Sequence, residues 1–162
     1  MGIFNFLSNF RKSNLISLFL RTLQLIDGLV VIGLYGVDLN KANKEDKYSD
    51  QKWVYAVTVG SIAAISAVLY SLASIFLPYR TVALLFAWDW MVAILFAAQS
   101  GIFGTMYLNE KTEMEGGIYR MKVAAGFDLA GLVLWFITAV IGTWWILTEK
   151  RNTAPVPEDR KT

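Results

Sequence analysis

The chain has 162 residues, of which 56% are hydrophobic, and its 15 Lys and Arg against 13 Asp and Glu give a formal net charge of +2. It contains no His and no Cys, which excludes imidazole bases, thiol nucleophiles, Cys/His zinc centres and disulfides, and with them most familiar active sites. No Asn-x-Ser/Thr sequon occurs either, so loops on an outer face are expected to be bare.

In chain order, residues 1–14 mix Ile3, Phe4, Phe6, Leu7 and Phe10 with Asn5, Ser8, Asn9, Arg11 and Lys12. This amphipathic segment suits the plane of a membrane surface and, lacking a small-residue cleavage site, is expected to be retained. Four apolar runs follow, at 15–39, 54–77, 82–107 and 123–147, and each exceeds the roughly 20 residues that carry a helix across a bilayer. Four such runs in succession have no plausible packing in water. The expected fold is therefore all-α, an integral membrane antiparallel four-helix bundle over residues 15–148.

The breaks between runs agree with that order. Residues 40–53 are dense in both signs of charge, Pro78-Tyr79-Arg80-Thr81 forms a tight turn, and 109–122 holds Glu110, Lys111, Glu113, Glu115, Gly116, Gly117, Arg120 and Lys122 as a solvated flexible connection. The tail, 149–162, is polar and proline-bearing and is expected to be disordered. Arg and Lys are equally numerous on the two sides of the spans, so the positive-inside rule gives no orientation. Both termini are expected in the cytoplasm, because no cleavable signal directs the first residues outward and Arg11, Lys12, Lys150 and Arg151 stand beside span ends.

Projected at about 100° per residue, every run has a seam. The first gathers Arg21, Gln24, Asp27, Gly28, Val31, Tyr35 and Asp38; the second Gly60, Ala64, Ala67, Ser71 and Ser74; the third Asp89, Ala93, Ser100, Gly104 and Tyr107; the fourth Ala124, Asp128, Gly131, Trp135, Ala139 and Gly142. Small residues on such seams let helices approach closely in lipid.

The ionisable groups inside the spans are the candidate site residues. A charge at mid-bilayer costs at least about 2.5 kcal/mol, so Arg21, Asp27, Asp89 and Asp128 need partners, neutralisation or water. Measured from span centres, Arg21 lies about 10 Å and Asp89 about 8 Å toward the side of the termini, and matched depth predicts an ion pair between the first and third helices that sets their register. Asp27, near the centre, is expected to be neutral or bonded to Gln24, Ser66 or Tyr70, as a functional ionisable group or as a structural carboxyl. Asp128 lies roughly 18 Å in depth from Asp89, which argues against an aspartyl dyad of the kind that shares a proton. Trp88 and Trp90 beside Asp89 are expected to serve ordinary packing, with shielding of the carboxyl or contact with lipid as the other readings. No catalytic residue, cofactor, metal or nucleic-acid partner is expected, and the chain is not expected to be an enzyme.

The order of several short pieces resembles the MARVEL-domain proteins, in particular those of filamentous ascomycete fungi. These are Arg21-Thr22-Leu23-Gln24, Gly33-Leu34-Tyr35-Gly36, Phe86-Ala87-Trp88-Asp89, Gly101-Ile102-Phe103-Gly104 with Tyr107, Arg120-Met121-Lys122, Phe127-Asp128-Leu129 and Leu134-Trp135-Phe136. The similarity covers roughly residues 15–148. It implies a four-helix protein with cytoplasmic termini, in the plasma membrane or endomembranes, concerned with vesicle traffic and membrane organisation. Its partners would be the lipid bilayer and other membrane proteins or further copies of itself. Two alternatives are an accessory subunit of a larger membrane complex and a small proton-coupled transporter or channel working through Asp27.

Overall fold

The computed structural model describes residues 12–44, 51–76, 85–108 and 116–153. Among them are four helices and no strand: α1, Lys12–Lys44; α2, Gln51–Phe76; α3, Phe86–Tyr107; and α4, Gly116–Thr153. Each contains a stretch long and apolar enough to cross a membrane.

The helices reach past the apolar runs that announce them. α1 continues to Lys44, with Lys41 and Lys44 in its last turn, where cations meet the negative end of the helix dipole. α4 begins at Gly116 and ends at Thr153, 38 residues in all. Residues 116–122, expected as flexible connection, and 149–153, expected as disordered tail, are therefore helical. Hydropathy marks where hydrocarbon would end, whereas the backbone hydrogen-bond ladder needs no apolar side chain to continue. Residues 1–11, the turn at 78–81 and the tail from 154 onward lie outside the described residues.

Hydroxyls along the helices fold back on their own backbones. Thr22 donates to the Leu18 carbonyl, Thr58 to Val54, Ser61 to Val57 and Thr105 to Gly101, at 2.7–2.9 Å. This bond to the preceding turn satisfies a hydroxyl without water or a second helix.

α1 packs extensively on α2, and α3 on α4; α1 also packs on α4, while α2 touches α3 only lightly. The α1–α2 contact depends on missing side chains. A Cβ on Gly28 would lie 3.0 Å from both the Ala64 nitrogen and the Gly60 oxygen, and one on Gly60 would lie 3.1 Å from Val31 and Ile32. Between the pairs stand the largest wholly buried side chains, among them Trp135, Tyr35, Phe96 and Phe103. Tyr35 and Phe103 meet with ring centroids 4.5 Å apart. The outside is the reverse of a water-soluble surface: Phe19, Ile65, Leu69, Ile94 and Trp144 are all more than 60% exposed.

Candidate functional site

The buried polar residues fall into successive clusters along the interior. The first is built on Arg21 near the start of α1. Its guanidinium donates to both carboxylate oxygens of Asp89 in the first turn of α3, at 3.0 and 2.7 Å, and Nη1 also donates to the Gln24 side chain at 2.9 Å. The fork geometry is the strong, directional form of an Arg–carboxylate pair. Gln24, one turn along α1, donates in turn to the Leu134 carbonyl at 3.3 Å and the Thr138 hydroxyl at 3.1 Å, so one network joins α1, α3 and α4. The Arg21 guanidinium lies 4.2 Å from the Tyr70 ring centroid and 5.4 Å from that of Trp135, with aromatic faces placed where a cation is attracted to them. The pair predicted from matched depth is thus present, inside an aromatic box.

The tryptophans beside Asp89 each take a hydroxyl. Trp88 donates to Ser66 at 2.9 Å and Trp90 to Thr143 at 3.1 Å. Trp90 also meets Phe136 edge-on at 5.4 Å, so both act as ties between helices.

For Asp27 the structure excludes the bonded alternative and leaves the neutral one. The carboxyl bonds to none of Gln24, Ser66 and Tyr70: Gln24 is engaged as above, Ser66 accepts from Trp88, and the Tyr70 hydroxyl donates to the Leu85 carbonyl at 3.2 Å. Asp27 is 4% exposed and neither carboxyl oxygen has a hydrogen-bond partner. Its carboxyl presses on α4 at Gly131, where an added Cβ would lie 2.5 Å from Phe96 Cε1 and closer still to Asp27 Oδ2. The seam brings Asp27 inward, but to a glycine and an aromatic edge that offer no donor.

Asp128 of α4 is wholly buried and well supplied. It accepts from the Tyr35 hydroxyl at 2.5 Å and from the Gln99 amide at 2.6 Å, and Gly131, one turn further along α4, is the residue that the Asp27 carboxyl meets. Sequence depth sets Asp128 apart from Asp89 and also from the more central Asp27, and it is the contact of Asp27 with Gly131 that brings α4 and α1 together at this level. Beyond them Arg120 of α4 forms an ion pair with Asp38 of α1.

Gln99, Tyr35 as a donor, Thr138 and Arg120 were the polar contributors not singled out by sequence. A lone amide inside an apolar run is a signal that could have found Gln99, whereas nothing comparable marks the other three. Arg21 Nε, Trp135 Nε1, Gln99 Oε1 and Ser100 Oγ are also buried without partners. No group of three or more His, Cys, Asp or Glu stands together as a metal site among the described residues. The arrangement pairs charges and ties α1, α3 and α4 together. No family model, curated protein or solved structure matches this chain.

Proposed function

We propose that the chain is a multi-pass membrane protein, an antiparallel four-helix bundle with both termini in the cytoplasm, which organises membranes without enzymatic chemistry. Its outer surface recruits lipids or partner helices, in the manner of the MARVEL-domain proteins it resembles. One observation carries this reading: large apolar side chains face outward while Arg21, Gln24, Asp27, Asp89, Gln99 and Asp128 turn inward. In water that distribution leaves apolar patches far beyond what a monomer tolerates; in hydrocarbon it is the stable one.

The antiparallel order is supported by which ends meet. Arg21 near the start of α1 bonds through Gln24 to Thr138 in the second half of α4, and Asp38 toward the end of α1 pairs with Arg120 near the start of α4. A recruiting role is supported by two apolar grooves on the outside. One of about 460 Å³ runs past Ile62, Leu69 and Trp88, between α2 and α3. The other, about 470 Å³, runs past Ala93, Ala97 and Phe136, between α3 and α4.

Cross-linking in native membranes, followed by identification of the neighbours, tests the proposal. Enrichment of defined lipids or membrane proteins around the bundle is the expected result. The competing reading, a small proton-coupled transporter or channel, draws on the unbonded oxygens of Asp27. Proton flux into liposomes that is lost in Asp27→Asn would replace the organising role with that one.

A further inference from the structure

The charges buried between the helices do not cancel. Arg21 meets Asp89 and Arg120 meets Asp38, which leaves Asp27 and Asp128, two acids to which no Lys or Arg bonds among the described residues. Their provision is unequal. Asp128 receives a donor on each oxygen, from Tyr35 and Gln99, as an anion requires. Asp27 receives none, although it is 96% shielded (4% exposed).

Gln99 adds an independent mark. It is wholly buried, and its Nε2 donates to Asp128 Oδ1 at 2.6 Å, while its Oε1, fixed covalently beside that nitrogen, has no donor. Three buried acceptors without donors, Gln99 Oε1 and both oxygens of Asp27, thus stand on neighbouring turns of helices that meet at Gly131 and Phe96. Leaving such groups empty in a dry interior is costly.

We propose that Asp27, Asp128 and Gln99 form a binding site for one monovalent cation, a proton or an alkali ion such as Na+, between α1, α3 and α4. The donor set is all oxygen, which suits hard cations. A divalent ion such as Ca²⁺ takes about 6–8 oxygens, more than this cluster offers, in keeping with the absence of a three-residue metal group among the described residues. One positive charge offsets one of the two acids, and the Tyr35 and Gln99 donors stabilise the other. The ionisable side chains buried along the interior with Asp27 are Arg21 and Tyr35 of its own helix, Tyr70 of α2, Asp89 of α3 and Asp128 of α4. Arg21 is already committed to Asp89. The site goes beyond the organising role and holds whatever the outer surface recruits.

The test uses the full chain in nanodiscs and follows its melting temperature in two series. One exchanges choline for Na+ at constant ionic strength, and the other varies pH without alkali ions. A sodium site raises Tm by several degrees in the first series only, and a proton site raises Tm as pH falls in the second, since a ligand of the folded state alone stabilises it. Asp27→Asn, a neutral isostere, abolishes the response; Gln99→Leu weakens the sodium response by about tenfold or more in concentration; Asp38→Asn leaves either response intact. A wild-type Tm indifferent to both series, or an Asp27→Asn variant that responds like wild type, overturns the site. Should Asp27→Asn fail to fold, infrared spectra of the wild type labelled at Asp carboxyls decide. A carboxylic-acid band that persists above about pH 6, where exposed aspartates are ionised, and disappears at higher pH, or a carboxylate band that moves with Na+, supports the site, and the absence of both overturns it.

Discussion

Gly131 shows how little room a buried carboxyl has. A methyl group there meets both Asp27 and Phe96, and Phe96 is wholly buried and has nowhere to turn. Gly131→Ala should therefore destabilise the protein by about 1–3 kcal/mol, the usual range for overpacking. Gly33→Ala, at a position with nothing within 4 Å of the new Cβ, should show no loss; denaturation in mixed micelles compares the two. Arg21 and Asp89 invite a different experiment. Arg21→Met leaves Asp89 buried without its cation, which costs about 3–5 kcal/mol. Adding Asp89→Leu should restore much of that loss, because an apolar pair of similar volume removes both desolvation penalties. A double-mutant cycle on the same denaturation assay measures the coupling.

Close approach is the property of the α1–α2 pair, and it rests on Gly28 and Gly60 facing one another. Gly28→Leu should separate the two helices, since the new side chain would begin 3.0 Å from α2 backbone atoms. A loss of at least about 2 kcal/mol is expected, read as detergent-dependent unfolding. Much at this scale was legible in the sequence. The seams named Gly28, Val31, Gly60 and Ala64 of the α1–α2 crossing but not Ile32, and depth alone paired Arg21 with Asp89. Other features were hidden for physical reasons. A seam gives the direction in which Asp27 points but not which neighbour awaits it, and that neighbour proved to be a glycine. Tyr35 and Asp128 are 93 residues apart in sequence, and only the rotation of α1 against α4 brings them together. Arg120 sits among charged residues that read as a loop, because charge density signals water and is silent about whether the backbone there is helical.

For the whole molecule, the question is which solvent surrounds it. Ile94, near the middle of α3, is 65% exposed. In the proposed bilayer Ile94→Lys should cost about 2.5–3.5 kcal/mol of insertion, measured as the fraction of chain integrated into microsomes. An exposed substitution of this kind in water would stay within about 0.5 kcal/mol. The cohesion of the bundle is also unevenly distributed. The multiple, charge-assisted bonds run among α1, α3 and α4, through Arg21, Asp89, Gln24, Asp128, Gln99 and Arg120. α2 is tied to α3 by single bonds at its margin, Tyr55 to the Leu95 carbonyl, Tyr70 to the Leu85 carbonyl and Trp88 to Ser66. The molecule is thus hinged like a book, its spine along α1 and α4 and its fore-edge between α2 and α3. Amide exchange under mild stress should accordingly begin at the fore-edge, and an amphiphile prising the helices apart would enter there while the spine stays shut.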